Sequence, residues 1–395
     1  MMSEKKMKVP KRRFKEFKDA NAWEQCKVKD ICSISTGKSN TQDRIDDGDY
    51  PFYVRSPIIE RSNKYLYDEE AVLTVGDGVG TGKVFHYVNG KYDLHQRVYR
   101  MFGFNNGVSG KYFNYYFSKY FYDRVMSMTA KTSVDSVRYE MISEMAIKYP
   151  LEQEQNQIVS TFENLDNLII LQQRKLAKMK ALKKAYLTEM FPAEGERKPK
   201  LIFAGFTGDW EQCKLRDGTS KIGDGLHGTP VFKDNGDVYF INGNNLVNGK
   251  IEITDETKLV SYIEQSDNDK SLDDNTILMS INGTIGNLAW YSGEKIMLGK
   301  SAAFIKVRDF NKKYIYYFLQ TSTIQEYFLN NLTGTTIKNL GLKTIREAII
   351  DFPCIAEQIK IGQFFEELDN LITLQQNKLE KLHNIKKAYL NELFI

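Results

Sequence analysis

The chain has few of the residues and none of the patterns that carry covalent chemistry. Four cysteines in 395 residues cannot staple a disulfide scaffold. Cys26, Cys32, Cys213 and Cys354 form no Cys-x-x-Cys pair and show no zinc-ligand spacing. We read them as reduced thiols of a cytoplasmic protein. The four histidines (His86, His95, His227, His383) are also spaced unlike metal ligands. No apolar run is long enough to cross a membrane, and the charged N-terminus lacks the apolar core of a signal peptide. There is no Gly-x-Ser-x-Gly elbow, no Asn/Asp-Pro-Pro-aromatic motif and no helicase motif set. The glycine-rich stretch 76–83 fails as a phosphate loop. Asp77 stands where the first glycine belongs, and Val84 follows the lysine in place of Ser or Thr. It also fails as a dinucleotide fingerprint, so it reads as a turn between strands, as does 282–286. The net charge of +4 permits a nucleic-acid partner without demanding one. A lone high-affinity DNA binder is usually more basic, so another subunit would supply some of the phosphate contacts.

What is present is a duplication. Residues 165–191 read LDNLIILQQRKLAKMKALKKAYLTEMF, and 368–394 read LDNLITLQQNKLEKLHNIKKAYLNELF, an offset of 203 (368 − 165). Trp-Glu-Gln-Cys-Lys occurs at Trp23 and at Trp210, an offset of 187 (210 − 23). This period exceeds that of solenoid repeats, roughly 20–50 residues. A whole domain with its helix has been written twice.

Stepping by four and three along the first copy gives Ile158, Phe162, Leu165, Ile169, Gln172, Leu176, Met179, Lys183, Tyr186 and Met190. The second copy gives Ile361, Phe365, Leu368, Ile372, Gln375, Leu379, Leu382, Lys386, Tyr389 and Leu393. An average step of 3.5 is a coiled-coil seam. Leu168, Leu171 and Leu187, with Leu371, Leu374 and Leu390, widen it. Gln172/Gln375 and Lys183/Lys386 interrupt both seams at matching places, and polar seam residues fix register at a cost in stability. Two near-identical seams are self-complementary, which favours mutual pairing about a pseudo-two-fold axis over each helix lying only on its own domain. The short stretch 192–209 favours the antiparallel arrangement. Forty helical residues span roughly 60 Å.

The expected divisions are an N-terminal arm and first domain (1–150), a helix (151–191), a linker and arm (192–209), a second domain (210–353) and a second helix (354–395). Each domain mixes short β runs (71–75, 83–88 and 97–102; 238–241, 276–281 and 302–307) with a helix (111–127; 312–329). The fold class is α+β. Polar loop residues that recur at matching places are candidate base readers, because Arg and Lys suit guanine, Asn and Gln suit adenine, and Ser and Thr suit either. In the first domain these are Thr36, Lys38, Ser39, Asn40, Arg55, Ser56, His95, Gln96, Arg97, Lys131, Thr132 and Ser133. In the second they are His227, Thr229, Asn242, Asn244, Asn245, Lys300, Ser301, Thr333, Thr335, Thr336 and Lys338. The competing reading of each is a solvated or turn-forming side chain. Gln172 and Gln375 are assigned to helix register.

This frame resembles the DNA-specificity (S) subunit of type I restriction–modification systems. Phe17/Trp23 and Phe206/Trp210 open the two domains. Pro150/Glu154-Gln155 and Pro353/Glu357-Gln358 close them, and the repeated helix follows each. Residues 225–230 (GLHGTP) and 280–286 (SINGTIG) resemble recurrent phrases of its target-recognition domains, and the first domain lacks the former. The resemblance implies two mixed α/β target-recognition domains separated by an antiparallel coiled coil. Each would read one half of a bipartite, asymmetric double-stranded DNA target, with the gap set by the helices. The chain would be non-catalytic, bacterial or archaeal, and cytoplasmic. It would dock two methyltransferase subunits and restriction/translocase subunits. S-adenosylmethionine, ATP and Mg would belong to those partners, with no cofactor or metal in this chain. The alternative is a coiled-coil scaffold that binds proteins and has no DNA specificity.

Overall fold

The computed structural model describes residues 9–78, 80–129, 136–206, 210–336 and 338–395. They fall into two compact units. Unit 1 holds residues up to Gln173 together with Lys378–Ile395, and unit 2 is Arg174–Asn377. Each unit therefore takes one of the two mixed domains, one end of its own long helix and one end of the other repeat's helix.

The long helices are Glu152–Glu189 and Ile355–Leu393. Every seam position named above is buried or half-buried. In unit 1 the end of the second helix lies against the start of the first: Phe394 stacks on Phe162 at 5.7 Å. In unit 2 the end of the first lies against the start of the second, with Phe191 on Phe365 at 5.9 Å. The pairing is antiparallel. The lysine interruptions of the seam are each paired with a carboxylate. In unit 2 Lys183 Nζ bonds Asp369 Oδ1 at 2.7 Å, and the Tyr317 hydroxyl donates to Asp369 Oδ2 at 3.1 Å. In unit 1 Lys386 pairs with Asp166, to which Tyr115 donates at 2.9 Å. Each group joins two long helices and a domain helix at one point. Burial and the adjacent carboxylate push both tyrosine pKa values up. The expected widening of the seam is corrected in part. Leu168, Leu171, Leu371 and Leu374 are 45%, 59%, 51% and 52% exposed, because each precedes a seam residue and points off the paired face. Leu187 and Leu390 are half-buried.

The domain in unit 1 is built on a six-stranded sheet in the order Ser33–Thr36, Val98–Phe102, Tyr67–Val75, Phe85–Leu94, Tyr50–Tyr53 and Ile59–Ser62. Gly110–Ser127 packs an aromatic face (Tyr112, Phe113, Phe117, Phe121) into its core. Unit 2 divides the same plan between two sheets. One is Thr219–Asp224, Ala302–Val307, Thr276–Ser280 and Leu288–Trp290; the other is Leu259–Val260, Val238–Ile241 and Ile296–Leu298. The cause is local. The single strand Phe85–Leu94 absorbs Gly90 at φ +128°, whereas its counterpart breaks between Trp290 and Ile296, where Gly293 takes φ +98°. A second difference corrects the single helix expected over 312–329. It is two helices, Lys312–Phe318 and Ser322–Asn330. Buried Thr321 turns its hydroxyl back to the Phe318 carbonyl at 2.8 Å, competing with the helical ladder.

Both domains are closed alike. Glu24–Lys27 pairs with Ala146–Tyr149, and Glu211–Lys214 with Ile349–Phe352. Trp23 and Trp210 are buried edge-to-face on Tyr112 and Tyr314 at 6.1 and 6.0 Å. Gln155 Nε2 donates to the Pro150 carbonyl and Gln358 Nε2 to that of Pro353, both at 2.9 Å. Their Oε1 atoms accept from Ser109 N and Asn311 N, which tethers each long helix to the start of a domain helix. The arms dock equivalently, through Arg12 N to Glu392 O and Leu201 N to Glu189 O. Arg13 forms a nearly dry ion pair with Glu154 at 2.6 Å. Ile202 holds the matching position in unit 2, where burial raises the pKa of Glu357. Phe191→Ala and Phe394→Ala should each remove about 3–5 kcal/mol from the unfolding of the unit that holds the ring. Denaturant titration with a probe in each unit checks this.

Candidate nucleic-acid interface

In both domains the parallel strand pair leads into a turn that carries candidate residues. In unit 1 it is Tyr53 beside Leu94, and in unit 2 Ile241 beside Leu298. His95 N donates to Tyr53 O and Gly299 N to Ile241 O, so these turns match, and Ser39/His95 bridges as Leu226/Gly299 does.

In unit 1 the turn is held from within. Ser39 Oγ donates to buried Asp93 at 2.6 Å, and Gln96 N donates to Ser39 O. Arg97 N donates to His95 Nδ1 at 3.0 Å. Ser39 and His95 are buried, so they brace the turn and do not face a ligand. What they present outward is exposed. Gln96 Nε2 donates to Asn40 Oδ1 at 2.5 Å, while Arg55 and Arg97 flank Asp77. Thr36 and Lys38 are exposed on the approach to this turn, and Ser56 is half-buried. Lys131, Thr132 and Ser133 lie outside the described residues. Asp77 escaped the sequence reading, which had dismissed its glycine loop as a mere turn. The loop is a turn, joining Tyr67–Val75 to Phe85–Leu94, yet it carries the carboxylate between the two arginines.

In unit 2, His227, Thr229, Asn242 and Lys300 line a cleft of about 250 Å³ walled by Pro230, Phe232 and Phe240. Asn242, Asn244 and Asn245 line an adjoining cleft of about 330 Å³ with Thr257 and Lys258, the last absent from the expectations. Exposed His227 bonds Asp224 at 2.7 Å. Asn242 Oδ1 accepts from Ser301 Oγ at 3.0 Å, and Asn245 is occupied in its own turn by Asn242 N and Glu252 O. Thr333, Thr335, Thr336 and Lys338 are exposed but line neither cleft. The larger cleft of unit 2, about 560 Å³, lies beside the long helices and includes Lys183 and Asp369, which the seam already employs. Among the described residues no group of His, Cys, Asp or Glu could hold a metal ion, and no helix is long and apolar enough to cross a membrane. All four cysteines are free thiols.

The model of the type I restriction modification DNA specificity domain matches residues 21–181 and again 208–384. The chain belongs to that family. A specificity domain is a recognition component, not a catalytic one. Curated relatives include the EcoDI specificity subunit of Escherichia coli, 30% identical over 77 residues, which are 20% of this chain and 17% of that one. The MjaVIII specificity subunit of Methanocaldococcus jannaschii is 31% identical over 109 residues, 25% of each. The matched stretches thus span a quarter or less of those relatives' length. The crystal structure of the S subunit of a type I system from M. genitalium superposes with a TM-score of 0.66 at 14% identity, covering 98% of this chain and 99% of that one. A chain from a study of complex assembly and conformational transition in a type I system gives 0.54 at 14% identity, covering 94% and 97%. At such identity the likeness is one of fold.

Within this specificity-domain frame His95 is a titratable brace. Burial, and then its neighbours Arg55 and Arg97, depress its pKa. The unfolded chain is therefore protonated first as pH falls through about 6.5. The contribution of neutral His95 is complete above that value and is lost as pH falls toward the folded pKa. His95→Gln should shrink the loss of unfolding free energy between pH 8 and pH 5.5, measured by denaturant titration at both.

Proposed function

We propose that the chain is a specificity subunit that reads a bipartite, asymmetric double-stranded DNA target, one half per domain, with the unread gap set by the paired helices. The observation that carries this reading is the recurrence of one braced turn in two domains with different outward contents. Asn40, Gln96, Arg55 and Arg97 stand at the turn in unit 1; His227, Asn242 and Lys300 stand at the turn in unit 2. These residue types match the donor and acceptor patterns of base edges. Two modest readers on a stiff spacer gain affinity through effective concentration when the spacing fits.

The exposed aliphatics support docking of methyltransferase subunits on the helices. Leu168, Leu171 and Ile385 in unit 1 correspond, at the repeat offset, to Leu371, Leu374 and Leu182 in unit 2. All precede seam residues, so they share a flank of their helices. A repeated apolar stripe on otherwise polar helices is what a pair of identical partners would cover. Restriction/translocase subunits would complete the assembly. S-adenosylmethionine, ATP and Mg would be bound by those partners in the cytoplasm.

Exchanging residues 210–353 for the corresponding segment of a different specificity subunit should change one half-site and leave the other; a change in both would refute independent heads. The affinity of the assembled complex for its target should fall steeply with salt through counterion release. A flat salt response would favour the protein-scaffold reading. Leu168→Asp combined with Leu371→Asp should abolish co-purification of the methyltransferase subunit while leaving the helical circular dichroism of the isolated chain intact.

A further inference from the structure

The arginines of unit 1 are arranged around one carboxylate. Arg55 Nη1 lies 3.3 Å from Asp77 Oδ1, and Arg97 Nε lies 3.7 Å from Asp77 Oδ2. The backbone ties the same residues together: Gly76 N donates to Arg97 O at 2.8 Å, and Asp77 bridges Ser136. The Arg97 backbone is itself fixed by His95. The arginine side chains are 47% and 63% exposed, against 26% for Asp77, so the carboxylate sits behind and the guanidiniums reach forward. Arg97 makes its nearest approach to Asp77 through Nε, at 3.7 Å, longer than a hydrogen bond, and its guanidinium is largely exposed. An arginine guanidinium is the group that grips guanine O6 and N7 in the major groove. Arg55 donates to Asp77 Oδ1 through Nη1, and its side chain is 47% exposed. An arginine whose rotamer is already held loses less freedom on binding than one that sweeps through solvent.

We propose that Asp77 is a specificity-positioning residue, holding Arg55 and Arg97 side by side so that unit 1 reads a G·C-containing half-site through their guanidinium groups. The proposal rests on the DNA-recognition reading above. Among the described residues, the matching positions of unit 2 carry no such pair of arginines on a carboxylate. By the strand pairings Gly243 stands in place of Arg55, Asn282 in place of Asp77, and the turn after Gly299 carries Lys300 and Ser301. The two half-sites are therefore read by different chemistry, as an asymmetric target requires.

The test is to co-express the full chain with the methyltransferase subunit of its own system in a host without modification, and to sequence the DNA with base-modification detection. The wild type should give a two-part motif, and exchange of residues 23–150 identifies the half read by unit 1. That half should contain a G·C pair. Arg97→Ala should relax one such position roughly ten- to a hundred-fold in preference. Asp77→Asn should relax the same position, leave the other half-site unchanged and leave the thermal midpoint of the chain unmoved. A unit 1 half-site without G·C pairs would overturn the proposal. So would an Asp77→Asn motif identical to the wild type's, or a loss of preference in both halves. If the wild-type complex, soluble and assembled, gives no bipartite motif, the recognition reading itself fails, an outcome distinct from failure of the Asp77 proposal.

Discussion

Each recognition domain is finished by an aromatic ring that stands just past the end of the other repeat's helix. Phe394 enters the core of unit 1 against Tyr112, Tyr116 and Phe162, and Phe191 enters that of unit 2 against Trp210, Tyr314 and Phe365. A ring of this size dominates the energetics of its site, and these two are almost fully buried. Neither domain has a complete core without the far end of its counterpart's helix. The antiparallel pairing is therefore part of each domain's fold, and the seam lysines, paired with Asp369 and Asp166, mark its register with charge.

That constraint leaves the loops free to differ. The frame needs Trp, Tyr, Gln and the terminal Phe at fixed places, and both repeats supply them. The turns need only a brace. In unit 1 Ser39, Asp93 and His95 provide it; in unit 2 Asn242, Ser301 and the Asp269 carboxylate on Leu298 N do so by other means. A braced turn can exchange its outward residues without disturbing the core beneath. Loops held on a rigid scaffold can vary their contents in this way.

The seam was legible in the sequence because helical periodicity is a local property: every position picked by steps of four and three is buried or half-buried. The α+β class followed from the short β runs and the helix of each domain, and the antiparallel pairing from the matching seams and the short stretch 192–209. Other features depended on tertiary context. Leu168 and Leu371 carry the same apolar character as the seam, and only the helix crossing decides that they face outward. The break at Thr321 depends on a hydroxyl choosing a carbonyl over solvent. Ser39 and His95 have the chemistry of base readers, but they are buried and spent on hydrogen bonds within the turn. Asp77 was hidden for the opposite reason. A glycine loop that fails as a phosphate cradle offers no local sign that two arginines, one distant by 22 and one by 20 residues in sequence (77 − 55 and 97 − 77), will converge on its carboxylate.

The most direct measurement of the account is the unread gap in a chain whose paired helices have been lengthened together. Seven residues that continue the seam would be inserted after Gln173 and seven after Gln376, and the methylated motif read by sequencing. At 1.5 Å per residue the pair grows by roughly 10 Å. That corresponds to about three base pairs at 3.4 Å each. The account predicts the same two half-sites separated by a gap longer by about that number. An unchanged gap, or altered half-sites at the old spacing, would contradict it.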